Sequence, residues 1–98
     1  MYDIIIIGAG PAGMTAAIYA RRAARSVLVL EAVNYGGQII NTPDIENYPV
    51  EAHISGFDFS EKVYNQAKGL GAEFIFEKVI GLKDENGIKI VTTNKNAY

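Results

Sequence analysis

Gly8, Gly10 and Gly13, in the run Gly8-Ala9-Gly10-Pro11-Ala12-Gly13, stand at G-x-G-x-x-G spacing, and Glu31 follows 18 residues beyond the last of them. Residues of these types at these distances can hold a dinucleotide. Gly8 permits a tight turn, Gly10 lets a diphosphate approach the backbone, and Gly13 lets a helix lie close on a strand. The diphosphate would rest on the free N–H groups at the start of that helix, where the helix dipole is positive. Glu31 would accept both hydroxyls of an adenosine ribose, and its charge would repel a 2′-phosphate.

Those residues need particular elements around them. Ile4-Ile5-Ile6-Ile7 is wholly apolar and β-branched, which predicts a strand buried on both faces. A helix is predicted from about Pro11 to Ala24, with Pro11 tolerated near its start because its missing N–H would be unbonded anyway. Ala12, Ala16, Ala17 and Ala20 would give that helix a narrow face for close approach to the sheet. Ser26-Val27-Leu28-Val29-Leu30 reads as a second buried strand, with Glu31 at its C-terminal end. Glycines that merely shape a turn are the competing reading. The agreement of strand, glycines, helix, second strand and acid in order and spacing counts against it.

The bulk composition excludes several classes. With 98 residues the chain can build one small domain but not two. Hydrophobic residues make up 49% and charged residues 20%, so the chain is not of the disordered kind. A net charge of −2 with scattered signs points away from nucleic acid and anionic membrane surfaces as partners. Arg21, Arg22 and Arg25 form the one basic cluster, and at the end of a helix they complement its dipole. There is no cysteine, hence no disulfide, thiolate metal site or redox pair within these residues. Asp44 and Glu46 have metal-ligand types, but no third ligand converges with them, so no metal site is expected. The sole histidine, His53, reads as a loop residue. The apolar runs are too short to cross a bilayer. The chain opens on its first strand with no signal peptide, so a cytoplasmic location is expected.

Beyond Glu31, the stretch from Ala32 to Ser55 contains Gly36-Gly37, Pro43 and Pro49 and shows no periodicity. A long irregular stretch that still carries Tyr35, Ile39, Ile40, Ile45 and Tyr48 predicts an ordered loop covering a ligand. A second helix is expected over about Gly56 to Leu70, with Phe57, Val63, Ala67 and Leu70 facing the core and Gly71 stopping it. Glu73-Phe74-Ile75-Phe76-Glu77 reads as a third strand. Val79 to Thr93 reads as an antiparallel ribbon turning at Asp84-Glu85-Asn86-Gly87. The fold class is therefore α/β: a Rossmann-like βαβ unit with an additional helix, a third strand and an antiparallel β-ribbon. Asn94–Tyr98 reads as the middle of a strand connection, so an incomplete domain is expected.

The glycine run, Tyr35-Gly36-Gly37-Gln38, Thr42-Pro43-Asp44-Ile45-Glu46-Asn47-Tyr48-Pro49 and Ile54-Ser55-Gly56-Phe57 together resemble the N-terminal FAD segment of the low-molecular-weight, bacterial-type thioredoxin reductases. The resemblance covers essentially the whole chain, and G-G-Q followed by E-N-Y-P is its narrowest part. It implies that residues 1–98 are the N-terminal part of an FAD-binding domain. The complete enzyme would use NADPH, act on thioredoxin-like disulfide proteins and work as a homodimer. By matching motif position, Gly8, Gly10, Pro11, Ala12 and Gly13 would cradle the FAD diphosphate and Glu31 would hold the adenosine ribose. Gly37 and Gln38 would line the flavin and its ribityl chain, Thr42 and Asn47 would lie near the isoalloxazine, and the Val79 backbone would meet the adenine. Amides such as Gln38 and Asn47 also commonly satisfy loop carbonyls, and Tyr35 and Tyr48 read as loop packing rather than flavin stacking.

Two departures stand beside the resemblance. Val50 replaces the glycine usual after Asn-Tyr-Pro, and the C-x-x-C pair of the resembling family does not occur in these residues. No nucleophile or general base is assigned, so no catalytic residue is expected and the segment alone would not be catalytic. The glutathione-reductase class is disfavoured, because its cysteines would fall where this chain has Gly37-Gln38-Ile39-Ile40. Other readings are a ferredoxin–NADP reductase of the same architecture without a dithiol, a non-catalytic nucleotide-binding module, and a simple NAD-binding half. Glu31 with Gly36-Gly37-Gln38 counts against the module, and the long loop after strand two counts against the NAD half.

Overall fold

A computed structural model describes residues 1–36 and 55–98. The elements run β1 (Ile4–Ile7), α1 (Pro11–Arg22), β2 (Val27–Leu30), α2 (Gly56–Gly69), β3 (Glu73–Ile75), β4 (Val79–Glu85) and β5 (Ile88–Thr93). The first three strands form a parallel sheet in the order β1-β2-β3, and β4 and β5 form an antiparallel ribbon. This is the α/β arrangement expected, with the additional helix, third strand and ribbon all present.

The layering follows from the alternation of side chains along β2. Val27 and Val29 point to one face, where Met14, Ala17 and Ile18 of α1 and Ala67 of α2 complete a core. Leu28 and Leu30 point to the other face and pack with Val91 of the ribbon, flanked by Tyr2, Ile5, Ile75 and Tyr98. All four β2 residues are buried because strands lie on both sides and a layer lies on each face. Each such side chain contributes roughly 2 kcal/mol of burial free energy.

β1 departs from expectation. Ile5 and Ile6 are partly buried, but Ile4 is 37% and Ile7 57% exposed. Among the described residues β1 pairs with β2 alone, so its outer side lacks a neighbour. The alanine face is also narrower than predicted. Ala17 is buried and Ala20 partly so, whereas Ala12 and Ala16 are exposed, and Met14 and Ile18 carry the contact instead. In α2, Ala67 is buried and Val63 half-buried, but Phe57 is 52% and Leu70 38% exposed. Phe57 stands in the first turn of α2 and Leu70 is its C-cap.

The helix termini explain the boundaries. Ser55 caps α2 by accepting the Asp58 N–H at 3.0 Å. At the other end Gly71 adopts φ +103°, its N–H donates to Lys68 O at 2.9 Å and the Ala72 N–H donates to Ala67 O at 3.1 Å. That pair of bonds is a Schellman stop. The same bonds close α1, from the Ala24 N–H to Arg21 O and the Arg25 N–H to Ala20 O, both 3.0 Å. α1 therefore ends at Arg22, not Ala24, and Ala24 takes the left-handed φ of 61° that glycine supplies in α2. Arg21 does more than face its own helix dipole. Its Nε donates to Leu70 O at 2.8 Å and its Nη1 to Arg25 O at 2.9 Å, tying the two helix ends together.

The ribbon turns at Asn86-Gly87, with φ values of 55° and 81°, as a two-residue hairpin loop of this composition favours. β4 runs on to Glu85, into the predicted turn, and its pairing with β5 shifts register between Val79 and Gly81. β3 is shorter than expected, since Phe76 and Glu77 leave the sheet. After β5, Val91 and Tyr98 exchange backbone bonds of 2.8 Å in each direction, so the chain doubles back along the ribbon. Tyr35 stacks on Tyr64 at 4.3 Å and 12°, and Tyr64 meets Phe74 edge-on at 4.6 Å. Tyr35 is thus a packing residue, as expected. Tyr48 lies outside the described residues.

Replacing Ala24 by glycine removes the strain of a left-handed Cβ while leaving both cap bonds in place. Ala24→Gly is expected to raise stability by about 1 kcal/mol, read from urea unfolding.

Candidate nucleotide-binding site

The site forms where β1, β2 and the chain after β3 end side by side. The Gly8 N–H extends the ladder to Leu30 O at 2.8 Å, and Gly8 then turns with φ +107°, which a side chain would oppose. Gly10 is the N-cap of α1, without a side-chain cap, and the first turn holds no acid. The first helical bond runs from the Met14 N–H to Gly10 O at 3.0 Å. The Ala12 and Gly13 amides precede it and point out of the helix start, and Pro11 has none to offer.

The three glycines are not equivalent. A Cβ at Gly13 would lie 2.1 Å from Gly8 O, whereas one at Gly10 would have nothing within 4 Å. Gly13 is required by the protein's own packing. At Gly10 the protein supplies no obstacle, so the open space over the helix start is what a side chain there would invade. A diphosphate fits this arrangement: outward amides, a positive dipole end, and clear space beside them.

Glu31 is half-buried at the end of β2, its own N–H bonded to Ile75 O at 3.1 Å. One carboxylate oxygen, Oε1, accepts the Ala9 N–H at 2.8 Å, and the other, Oε2, accepts the Val33 N–H at 3.0 Å. Each carboxylate oxygen can accept a second bond, so the group is oriented and still has capacity for two hydroxyls. Ala9 O in turn accepts the Gly36 N–H, which brings the start of the following loop onto the glycine turn.

A cleft of about 270 Å³ opens beside this turn, lined on one side by Gly8, Leu30, Glu31 and Ala32 and on the other by Glu77, Lys78 and Val79. The structure therefore brings Gly8, Glu31 and Val79 together, with Gly10, Pro11, Ala12 and Gly13 adjoining at the helix start. Gly37, Gln38, Thr42 and Asn47 lie outside the described residues. Among the described residues no cluster of His, Asp or Glu could hold a metal ion, and no helix is long and apolar enough to cross a membrane.

Glu77 and its partners were missed by sequence reasoning, which placed Glu77 at the end of a strand. The Glu77 carboxylate accepts the Thr93 hydroxyl at 2.6 Å, the Tyr98 hydroxyl at 3.0 Å and the Asn96 amide at 3.2 Å. The Thr93 bond above all holds the Glu77 carboxyl below the ordinary carboxylate range, with Tyr98, Asn96 and the nearby Lys95 adding to it. No local pattern announces a group whose partners lie 16 to 21 residues away.

Comparison with known proteins places this geometry. Residues 2–97 match the family described as pyridine nucleotide-disulphide oxidoreductase. The chain belongs to that family. It is 45% identical over 98 residues to the thioredoxin reductase of Bacillus subtilis, covering all of this chain and 31% of that protein. Its fold is similar to the crystal structure of Lactococcus lactis thioredoxin reductase, with a TM-score of 0.95, 42% identity and coverage of 100% and 32% of the two chains. The Streptococcus pyogenes thioredoxin reductase structure gives a TM-score of 0.95 at 45% identity, with the same coverage. This member of the oxidoreductase family thus spans about a third of the length of the relatives it matches.

Two measurements check the local geometry without any ligand. Glu31→Ala is expected to speed hydrogen exchange at the Ala9 and Val33 amides by about tenfold, the worth of one hydrogen bond each. The Glu77 carboxyl has a lower pKa folded than unfolded, so its contribution to stability is complete above the ordinary carboxylate range. It is lost as pH falls through the lowered folded value. Urea titrations of wild type and Glu77→Gln across that acid window should differ in slope there and run parallel near neutrality.

Proposed function

We propose that residues 1–98 are the FAD-binding N-terminal portion of an NADPH-dependent thioredoxin-disulfide reductase. The observation that carries this reading is the cleft in which an oriented carboxylate, Glu31, stands beside the open glycine turn at the start of α1. Similarity to thioredoxin reductases along the entire chain supports it.

In this reading the amides around Gly10, Ala12 and Gly13 receive the diphosphate, with Pro11 fixing the entry to the helix. Glu31 accepts the ribose hydroxyls without releasing Ala9 or Val33. Val79, across the cleft, meets the adenine. Gly37, Gln38, Thr42 and Asn47 are assigned to the flavin side by the resemblance to thioredoxin reductases. FAD, when bound, supplies two-electron exchange between NADPH and a disulfide. The residues of this segment bind and orient, and none of them is assigned a proton-transfer or nucleophilic role, so the segment alone is not catalytic. A thioredoxin-like protein is the partner of the complete enzyme, which acts as a homodimer in the cytoplasm.

The full-length protein is expected to purify with a flavin absorption spectrum and to release FAD on denaturation. Gly10→Val should fold with an unchanged circular dichroism spectrum but carry no flavin, because the side chain fills the diphosphate path. Glu31→Lys should weaken FAD at least about tenfold by replacing an acceptor with a cation. A colourless wild type that takes up no added FAD, or a Gly10→Val protein with full flavin content, would overturn the reading.

A further inference from the structure

The two walls of the cleft are built differently. The Gly8 and Glu31 wall belongs to the parallel sheet and is locked by its ladder: Gly8 to Leu30, and Glu31 to Ile75. The opposite wall begins after β3 has ended at Ile75, so Glu77 and Lys78 receive no support from that sheet. Their support comes from the ribbon. The Lys78 N–H donates to Asn94 Oδ1 at 3.1 Å and Lys78 O accepts the Asn94 N–H at 2.9 Å, which occupies both backbone groups of that residue. The Glu77 carboxylate then draws in Thr93, Asn96 and Tyr98.

Thr93 is the pivot of this set. The residue is 4% exposed, and its hydroxyl also accepts the Lys95 N–H at 3.1 Å and the Asn96 N–H at 2.9 Å. A buried hydroxyl that donates to Glu77 while accepting from the turn after β5 fixes the turn and the carboxylate relative to one another. The segment from Glu77 to Val79 is thereby clamped between a side-chain network and the end of the ribbon.

We propose that Glu77 is a positioning residue for the nucleotide base: by gathering Thr93, Asn96 and Tyr98 it fixes the Lys78–Val79 wall opposite Gly8 and Glu31, and so sets how the cleft fits a purine. The inference rests on the functional reading above, since a base reaches this wall only if Glu31 takes the attached ribose. With the diphosphate at the start of α1 and the ribose on Glu31, the continuation of the cleft lies between Leu30–Ala32 and Lys78–Val79. Leu30, Ala32 and Val79 supply apolar lining there, with Lys78 beside Val79. Discrimination between bases then depends on how accurately the Lys78–Val79 backbone is placed, which the bonds of Glu77 and Asn94 govern.

The test uses the full-length apoprotein and two probes that differ only in the base: FAD and its hypoxanthine analogue. Flavin fluorescence titration gives the dissociation constant of each. Wild type is expected to prefer FAD. Glu77→Ala is expected to weaken FAD about tenfold and the analogue much less, the difference being one hydrogen bond's worth of base recognition. Tyr98→Phe, which removes one donor and no charge, should move the ratio in the same direction by less, and it carries the test if Glu77→Ala does not fold. Glu77→Asp, which keeps the acceptor, should recover part of the preference. A ratio that stays at the wild-type value, whether or not both constants rise together, overturns the proposal, because a general loosening of the fold weakens both probes equally. A wild type with no preference for FAD overturns it too, while leaving the FAD reading intact. A wild type that binds neither probe overturns both.

Discussion

The first helix lies on the first strand so closely that residue 13 has no room for a Cβ, which would fall 2.1 Å from Gly8 O. That steric limit governs what surrounds it. Once α1 approaches this closely, its first turn is held against the turn that leaves β1. The left-handed Gly8 is then needed to turn the chain within a single residue, and Gly10 becomes the cap because only residue 9 separates the two. A larger residue at position 13 would lift the helix and disperse all of these together.

The second constraint is supplied by β2. Four buried residues in alternation assign one face of the sheet to the two helices and the other to the ribbon. The residue that follows them must leave the sheet where β1 also ends, because the two strands pair in register from Ile4 with Val27 to Ile7 with Leu30. Glu31 reaches the glycine turn for that reason. Its distance along the sequence reflects the length of one helix and one strand, and its distance in space, 2.8 Å from the Ala9 nitrogen, reflects their register.

Much of this could be read from the residues. Unbroken apolar runs, glycines at fixed offsets, an acid at a strand end and Asn-Gly between two strands all act through local geometry, and each is where it was expected. What escaped depends on neighbours. Four isoleucines state that a strand is apolar but not how many strands flank it, so Ile4 and Ile7 proved more exposed than their type implies. Phe57 and Leu70 carry the right periodicity but lie at the two ends of the helix and are exposed. The left-handed Ala24 was hidden because alanine is ordinarily a sign of helix continuing. Glu77 looked like one more strand residue, and only folding brings Thr93, Asn96 and Tyr98 around it.

Ala9 spends both of its backbone groups on residues beyond β2: its N–H goes to Glu31 and its carbonyl receives Gly36. The four residues between Glu31 and Gly36 therefore form a small ring closed on a single residue, further pinned by Val33 bonding back to Glu31 and by Tyr35 stacking on α2. A ring of that size has one workable length. Adding or deleting a residue within it would break one closure or the other. Gly36 is thus held at a fixed point beside the glycine turn.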